Sequence, residues 1–314
     1  MGNTVNKIFD SEPVYKLKTG LPIAAAKGLE ARMCVQAIRS KYFDRIRNEV
    51  NGIQEEVDEF TLVSADPEEL SCVQEVKTLL HYIRFETTGE KHYQNGIRDH
   101  GRGSMTLSNF MENPKAKAAG LSEAELVAMR LYTTIAFLFM NKPLRDEERY
   151  GREEPCPLPV TTYFALSGIK KLRALHVESG ESVLWRGMRN LEVADRFMQQ
   201  GGTELAFMST TRDFNIAIRY CLSQQSLIFK IVSDGFMTMG ADVQWLSAFP
   251  SEAEILFPPL TFLKPTGRKQ VVALSCPKNN YEYKFDFLMV QVVEMERDGQ
   301  TYSFTVVEVQ PQLA

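Results

Sequence analysis

The chain contains 314 residues and carries 36 basic against 40 acidic side chains, a formal net charge of −4. This length allows one large domain or two small ones, and the mildly negative charge excludes the basic footprint of a nucleic-acid-binding protein. No apolar run is long enough to span a bilayer, and the N-terminus lacks the apolar stretch of a signal peptide.

The first 20 residues are polar, and we predict that they form a flexible N-terminal tail. Gly2 follows Met1 as in N-terminal acylation sites, but Asn6 stands where such sites have Ser or Thr. An acyl anchor at Gly2 is therefore an alternative to an unmodified N-terminus.

Residues 21–105 are predicted to form a helical N-terminal region. Apolar residues among charges predict a first helix over residues 28–50. A second helix has Asp66 as its cap and Pro67 at its first position. Its apolar stripe consists of Leu70, Val73, Val76, Leu80 and Ile83. Residues 87–104 are rich in Gly and polar side chains, so we expect a mobile loop there.

Two further helices are predicted before residue 177. One starts at a capping box formed by Ser122 and Glu125 and should end near Pro143, because proline does not fit a helix interior. The other covers about residues 161–176. The charged run between them, residues 145–154, is most simply a solvated turn.

The second half of the chain contains short runs of apolar, β-branched and aromatic residues, which predict β-strands. These runs are residues 182–186, 204–209, 226–233, 255–257, 260–263, 285–294 and 302–309. One helix is predicted between the second and third strands, from an apolar face at Phe214, Ala217, Ile218, Cys221 and Leu222. Helices that precede strands indicate an α+β fold.

Arg186 ends the first predicted strand, and Gly187 follows it. A partly buried guanidinium needs an anion, and its planar fork matches a phosphate or a diphosphate. The glycine would let a ligand approach the backbone closely. The alternative is an ordinary ion pair between Arg186 and a carboxylate of the protein.

Ser209, Thr210 and Thr211 lie where the second strand gives way to the predicted helix. Hydroxyl groups at this position cap a helix. They can also hold a nearby carboxylate in position, and the sequence is compatible with both roles.

The segment FPSEAEILFPP, residues 249–259, places Glu252 and Glu254 directly before an apolar strand. The prolines on both sides of the acids leave no room for a helix, so we expect both carboxylates on one face of a strand. Two carboxylates so placed repel each other, which favours a functional role. The alternative is a solvated acidic turn.

The motifs LWRG (184–187), FMSTT (207–211) and FPSEAEILFPP (249–259) occur in the order found in one enzyme family. They resemble the arginine–serine–glutamate class of mono-ADP-ribosyltransferases, and in particular its arginine-specific vertebrate and toxin-like type. Two further segments, NKPLR (141–145) and TVVEVQP (305–311), are similar to the end of that family's helical lobe and to its closing strand.

The resemblance covers about residues 106–314 and implies a catalytic domain in this range. Its helical part would span residues 106–176, and a two-sheet β core with an NAD-binding cleft would span residues 177–314. The expected fold is thus α+β, with a helical N-terminal lobe followed by an ADP-ribosyltransferase-type β core.

The resemblance also implies how the chain would use NAD. Glu254 would stabilise the positive charge that develops on the ribose as nicotinamide leaves, and Ser209 would hold Glu254. Arg186 would bind the diphosphate, the backbone of Gly187 would face the nicotinamide amide, and Thr210 would belong to the same NAD-binding set. The serine motif departs from the family in one place, since S-T-T stands where S-T-S is common.

The acceptor site implied by the resemblance lies around Glu252. This acid would orient an acceptor guanidinium and accept its proton. Trp245 and Phe249 flank the loop before the acids, and both are candidate acceptor-recognition residues. The simplest expectation is that residues 248–250 pack against the core. The sharper hypothesis is that Trp245 is exposed and recognises the acceptor, since aromatic residues dominate binding hot spots.

The expected activity is transfer of ADP-ribose from NAD to arginine side chains of a protein acceptor, with automodification as one outcome. An NAD glycohydrolase, in which water is the acceptor, and a silent NAD-binding module on the same fold are the alternatives. Intact Arg186, Ser209, Glu252 and Glu254 favour an active enzyme over the silent module.

Cysteine and histidine usage predicts the compartment and the absence of a metal. The five cysteines are scattered and form no C-x-x-C motif, and the four histidines form no ligand cluster with them. We therefore expect no structural metal and a cytoplasmic or otherwise reducing compartment. Secretion into a host without a classical signal peptide is compatible with the same features.

Overall fold

The computed structural model describes residues 18–19, 42–63, 67–85, 105–146, 157–175, 181–221, 226–235, 238–275, 281–285, 288–292 and 301–313. The predicted loop at 87–104, residues 28–41 of the first predicted helix and all of the predicted tail before Lys18 lie outside these residues. Lys18–Thr19 forms a short strand, β1.

One helix was predicted over residues 28–50, but the chain forms two helices between residues 43 and 63. Helix α1 spans Phe43–Arg47 and α2 spans Glu49–Val63, so the predicted boundary is wrong. The chain changes direction at Glu49, which has a φ of 49°. Gly52 permits this tight turn, because a β-carbon there would lie 1.8 Å from the carbonyl oxygen of Arg45.

Helix α3 spans Pro67–Phe85 and confirms the second predicted helix. Its apolar stripe is buried at Val73, Val76, Leu80 and Ile83. This stripe packs in a large core with residues of α2 and of the helices that follow.

The next helices form a continuous run towards the centre of the molecule. They are α4 (Leu107–Met111), α5 (Pro114–Ala119), α6 (Glu123–Leu131), a π-helical turn (Tyr132–Ala136) and α7 (Phe137–Arg145). The predicted capping box of α6 is confirmed, since Ser122 and Glu125 exchange side chain-to-backbone hydrogen bonds of 3.2 and 2.8 Å.

The helical run ends two residues after Pro143, near which it was predicted to end. Helix α7 continues to Arg145 and includes Pro143, although proline removes one backbone hydrogen bond from a helix interior. The sequence also gave no sign of the π-helical turn, where Thr134 leaves helical geometry with φ −109° and ψ −171°.

Helix α8 spans Pro159–Arg173 and begins on a buried carboxylate. Glu56 of α2 accepts hydrogen bonds from the backbone nitrogens of Val160 (2.6 Å) and Thr161 (2.9 Å). Burial raises the pKa of Glu56 to about 7, although these hydrogen bonds favour its ionised form. An acid from α2 therefore supplies the N-terminal cap of α8.

Eleven strands are present among the described residues, and nine of them form one sheet. After β1 they are β2 (Ser182–Arg189), β3 (Gly202–Glu204), β4 (Met208–Thr211), β5 (Ser226–Ser233), β6 (Ala241–Asp242), β7 (Glu254–Phe257), β8 (Thr261–Ser275), β9 (Tyr281–Phe285), β10 (Leu288–Val292) and β11 (Thr301–Gln312). The sheet order is β1-β3-β8-β11-β5-β2-β4-β7-β6, and β9 and β10 pair separately.

The described strands are grouped differently from the two-sheet core that the family resemblance implies. Strands β2 and β4 are linked through the single register pair Trp185–Thr211, and this narrow junction joins β4-β7-β6 to the other six strands. The helix-first, strand-later order predicted for an α+β fold is observed.

Two helices cover opposite faces of the central strands. In α10 (Phe214–Cys221), Phe214 packs edge-on against Trp185, with a ring separation of 4.8 Å. In α9 (Asp195–Gln200), Phe197 stacks on Phe229 at 5.4 Å. Trp185 pairs with Lys230, the neighbour of Phe229 in β5, so the two aromatic contacts lie on opposite faces of the sheet.

Candidate active site

A cleft of about 540 Å³ lies between the helical lobe and the sheet. Its walls come from α3, the π-helical turn, α7, β2, β4, α10 and the segment before β7. Most of the predicted site residues line it: Arg186, Gly187, Ser209, Thr210, Phe249, Glu252 and Glu254. The fold therefore brings together three motifs that are separated by up to 70 residues in the sequence.

Arg186 projects from β2 across the β2–β4 junction. Its Nη1 donates a hydrogen bond of 2.6 Å to the carbonyl oxygen of Ser209. Its Nη2 lies 3.8 Å from a carboxylate oxygen of Glu204. The predicted alternative, an arginine near a carboxylate of the protein, is thus also part of the site.

Glu204 is a buried acid that joins Arg186 to a second arginine of the cleft. Its side chain is 2% exposed and accepts hydrogen bonds from the backbone nitrogen of Ala206 (2.9 Å) and from Nε of Arg145 (3.2 Å). Two guanidinium groups are therefore held in the cleft wall by one carboxylate, and together they form a site suited to a diphosphate.

Neither Glu204 nor Arg145 was predicted as a site residue. Arg145 belongs to the NKPLR segment that entered the family resemblance, which was the available signal. Nothing in the local sequence of Glu204 distinguishes it from an exposed acid.

Gly187 lines the cleft, and its lack of a side chain is also required by packing. A β-carbon at Gly187 would lie 1.9 Å from the carbonyl oxygen of Ala217 in α10. The glycine therefore allows the helix to approach the backbone of β2.

Ser209 and Glu254 meet on the β4–β7 pair. Glu254 is 7% exposed, and burial raises its pKa to about 7. The Ser209 hydroxyl and the charge of Arg186 lower that pKa, and the charge of Glu252 raises it. The fold thus brings Ser209 next to Glu254, where its hydroxyl favours the ionised carboxylate.

Glu252 and Glu254 do not share a strand face as predicted. Residues Pro250–Glu252 form a turn of 3₁₀-helix, Ala253 adopts a left-handed φ of 46°, and β7 begins at Glu254. The prolines exclude an α-helix, but a 3₁₀ turn accommodates Pro250 at its first position. The two carboxylates consequently belong to different elements, with Glu252 at the cleft rim and Glu254 buried.

The two threonines after Ser209 fix the backbone around the acids. Thr210 Oγ1 donates to the carbonyl oxygen of Ile255 (2.7 Å), and Thr211 Oγ1 donates to that of Glu252 (2.6 Å). Thr211 Oγ1 also accepts from the backbone nitrogen of Asp213 (3.0 Å) at the start of α10. Support of the acidic segment, one of the two predicted roles, therefore occurs at Thr210 and Thr211. The cap of α10 is Asp213, whose Oδ1 accepts a hydrogen bond of 2.8 Å from the backbone nitrogen of Asn215.

Phe249 lines the cleft, whereas Trp245 is absent from its lining. Trp245 is partly buried against the helical core, with its ring 6.5 Å from that of Phe110. Arg130 fastens the same loop to α6 by donating to the carbonyl oxygen of Leu246 at 2.7 Å. The prediction of an exposed Trp245 is wrong, because the loop packs onto the helical lobe.

Further cleft residues were missed. Tyr132 in the π-helical turn accepts a 3.1 Å hydrogen bond from Asn141, and Asn141 accepts one of 3.2 Å from the backbone nitrogen of Phe207. Tyr220, in α10, donates a hydrogen bond of 2.5 Å to Glu252. The i, i+3, i+4 pattern of α10 identified its buried face, and Tyr220 lies off that face.

Cys72 and Cys221 are buried free thiols, while Cys34, Cys156 and Cys276 lie outside the described residues. Within the part of the chain that the structure describes, His, Cys, Asp and Glu side chains form no group of three that could hold a metal. The helices described there include none that is both long and apolar enough to cross a membrane.

Comparison with known proteins gives matches among solved structures. The ADP-ribosyltransferase HopU1 of Pseudomonas syringae pv. Tomato DC3000 is 20% identical over 65% of this chain and 88% of its own, with a TM-score of 0.41. A variant of the eukaryotic mono-ADP-ribosyltransferase ART2.2 in complex with NAD is 11% identical over 89% of this chain and 88% of its own, with a TM-score of 0.46.

Exoenzyme S from Pseudomonas aeruginosa, in complex with human 14-3-3 protein beta and bound to carba-NAD, is 18% identical over 64% of this chain and 86% of its own, with a TM-score of 0.38. No protein-family model matches the sequence, and no curated protein matches it.

Proposed function

We propose that this protein transfers ADP-ribose from NAD to arginine side chains of a protein acceptor and releases nicotinamide. The observation that carries the proposal is the buried Glu254 carboxylate, which lies beside Ser209 on the β4–β7 pair and in the same cleft as Arg186. A carboxylate so placed is suited to stabilising a cation, and a guanidinium is suited to holding an anion. NAD presents both charges during loss of nicotinamide.

Arg186 and Arg145 would bind the diphosphate. Arg145 is oriented by its hydrogen bond to Glu204, and Arg186 by its hydrogen bond to the Ser209 carbonyl, with Glu204 at 3.8 Å. Less conformational entropy is therefore lost when the two groups bind an anion. Glu204 also offsets part of their positive charge. The pair thus offers a preorganised site for a diphosphate without leaving two uncompensated cations in the cleft wall.

Glu254 would act at the ribose. When the bond between the ribose carbon and the nicotinamide nitrogen breaks, its electron pair leaves with nicotinamide and positive charge develops on the sugar. The ionised carboxylate stabilises this charge, and preorganised electrostatic groups of this kind contribute about 10²–10³ in rate. Burial strengthens the interaction because less water screens it.

Glu252 would act on the acceptor. A guanidinium nitrogen forms the new bond to the ribose carbon and then loses a proton, for which Glu252 is the nearby carboxylate at the cleft rim. The NAD glycohydrolase alternative uses the same Glu254 but needs no acceptor carboxylate. The silent-module alternative leaves the assembled Ser209–Glu254 contact without a purpose.

The proposed partners and compartment follow from this chemistry. The acceptor is a protein with an exposed arginine, and the enzyme itself is one candidate. The buried free thiols of Cys72 and Cys221 are compatible with a reducing compartment.

A single assay with labelled NAD tests the proposal. Nicotinamide release is measured together with transfer of label to agmatine, to polyarginine and to the enzyme. Label on the guanidinium compounds supports arginine transfer. Release of nicotinamide without label on any of them contradicts the transfer function and supports the glycohydrolase. If nicotinamide is not released at all, the enzymatic proposal fails.

A further inference from the structure

The side chain of Tyr220 lies beside Glu252 at the rim of the cleft. Its hydroxyl donates a hydrogen bond of 2.5 Å to Oε1 of Glu252, and the residue lines the cleft. It is 44% exposed, so part of it is open to solvent beside the carboxylate. An aromatic ring and an acid thus lie next to each other at the rim.

Tyr220 is itself held in place from the strand that carries Arg186. Nε of Arg189 in β2 donates to the carbonyl oxygen of Tyr220 (3.1 Å), and its Nη2 donates to that of Arg219 (3.4 Å). These contacts satisfy carbonyl groups at the end of α10, where a cation is also favoured by the helix dipole. The position of Tyr220 is therefore tied to the sheet.

The Glu252 backbone is held from the other side. Its carbonyl oxygen accepts the hydrogen bond from Thr211, and its nitrogen donates to the carbonyl oxygen of Phe249 at 3.0 Å. With the main chain fixed, the hydrogen bond from Tyr220 restricts the orientation of the carboxylate. A flexible acid on a surface turn would lack this constraint.

The phenol acts as a donor rather than as a base. Burial raises the pKa of Tyr220, and the charge of Glu252 and the hydrogen bond to it raise it further. Tyr220 therefore keeps its proton at neutral pH. The proton-accepting role at the rim belongs to Glu252.

We propose that Tyr220 is a positioning and specificity residue of the acceptor site, which fixes Glu252 and offers its ring face to a planar guanidinium. The inference rests on the proposed transfer function. A guanidinium can pair with a carboxylate through its N–H groups while its plane stacks on an aromatic ring. A compact ammonium gains less from such a surface, so the site favours arginine over lysine.

A purely structural contact between Tyr220 and Glu252 would have different consequences. It would stabilise the turn before Glu254, and its loss would reduce every reaction of NAD together. A positioning role predicts loss of transfer alone. The two cases are therefore separated by comparing acceptor transfer with nicotinamide release in the absence of acceptor.

The test uses Tyr220→Phe, which removes the hydroxyl and keeps the ring, and Tyr220→Leu, which removes both. Tyr163→Phe is the matched control, since Tyr163 is similarly exposed at 40% and is absent from the cleft lining. For Tyr220→Phe, we expect kcat/KM for agmatine to fall on the order of tenfold, as for loss of a charge-assisted hydrogen bond. Nicotinamide release should stay within about twofold, and Tyr220→Leu should raise the KM for agmatine further.

Unchanged agmatine transfer in Tyr220→Phe would overturn the proposal, as would a parallel fall in nicotinamide release. A signal independent of activity is the Cζ resonance of Tyr220 in protein with ¹³C-labelled tyrosine. Replacing Glu252 with Gln should move this resonance and leave that of Tyr163 in place.

The two readouts distinguish failure of this inference from failure of the proposed function. An enzyme that hydrolyses NAD but never labels agmatine contradicts the transfer function, and the acceptor role of Tyr220 with it. If the enzyme labels agmatine but the Tyr220 resonance does not move in Glu252→Gln, the inference fails and the transfer function stands.

Discussion

Ser209 and Glu254 lie on the same face of the β4–β7 pair although they are not directly opposite each other. In this antiparallel pair Ser209 is opposite Leu256, and Glu254 is opposite Thr211. Their contact is therefore diagonal, and it depends on the register of the two strands. A slip of one residue would turn the Glu254 side chain away from the cleft.

Replacing Glu252 and Glu254 one at a time with glutamine should have different effects on nicotinamide release and on arginine transfer. Glu254→Gln should lower nicotinamide release and arginine transfer by about 10²–10³-fold, because the charge that stabilises the ribose cation is lost. Glu252→Gln should abolish arginine transfer and leave measurable hydrolysis, because water needs no guanidinium anchor. Both reactions are measured for both variants. Full arginine transfer by Glu252→Gln, or full hydrolysis by Glu254→Gln, would show that these roles are wrong.

Nicotinamide release should depend on the ionisation of Glu254. Because its pKa is raised to about 7 by burial, the active carboxylate is the minor form below that pH. The rate should rise as the pH increases through about 7 and then level off. The measurement is kcat/KM for nicotinamide release, taken from rates at subsaturating NAD across this range, because this ratio reports ionisation in the free enzyme. A rate that is flat between about pH 6 and 8 would contradict the assignment.

The same shift predicts how stability depends on pH. The pKa of Glu254 rises from the ordinary value of 4.5 to about 7 on folding. The folded state therefore binds the proton more tightly, and the stability that this group contributes below pH 4.5 is lost as the pH rises through about 7. The free energy of unfolding of Glu254→Gln, relative to wild type, should thus increase by about 2–3 kcal/mol from pH 4 to pH 8. Glu56 has a similarly raised pKa and titrates in both proteins, so the comparison cancels it.

Arg186→Lys tests the diphosphate site. Lysine keeps the charge but loses the planar fork that contacts Ser209 and faces Glu204, so NAD affinity should fall on the order of tenfold or more with the fold retained. Arg196→Lys is the control, since Arg196 is exposed on α9 and bonds Gln200 of the same helix. Titration calorimetry with NAD measures both. Wild-type affinity for NAD in Arg186→Lys would contradict the role of Arg186 in binding the diphosphate.

Gly187→Ala should destabilise the protein because helix α10 leaves no room for a methyl group. The added β-carbon would lie 1.9 Å from the backbone oxygen of Ala217, and relieving the clash requires movement of the helix or the strand. We expect a loss of about 1–3 kcal/mol in the free energy of unfolding by denaturant titration. Gly235→Ala is the control, because among the described residues, apart from its chain neighbours, no atom lies within 4 Å of a β-carbon there. Equal stability of the two variants would mean that α10 packs less closely than described.

The sequence predicted those features that depend on local rules. The capping box of α6, the apolar stripe of α3 and the buried face of α10 follow from side-chain spacing and were found where expected. The contact between Ser209 and Glu254 was also anticipated, although only through the family resemblance.

Features set by long-range packing were not predictable from the same rules. Glu204 meets Arg145 across 59 residues, and Tyr220 meets Glu252 across 32, and no local pattern encodes such pairs. The prediction that Trp245 is exposed was wrong for the same reason, because Trp245 contacts Phe110, which belongs to the helical lobe. The separation of Glu252 from Glu254 depends on the left-handed conformation of Ala253, which residue type alone does not indicate.

Strand β11 lies inside the nine-stranded sheet, between β8 and β5. It is also the last strand of that sheet to emerge during synthesis. Before it arrives, β5 and β8 each present an unpaired edge, while the strands that carry Arg186, Ser209 and Glu254 have already been made. Nascent chains that stop before Thr301 therefore expose two unpaired strand edges, which can pair with other chains. Premature termination there should yield aggregates rather than a truncated enzyme.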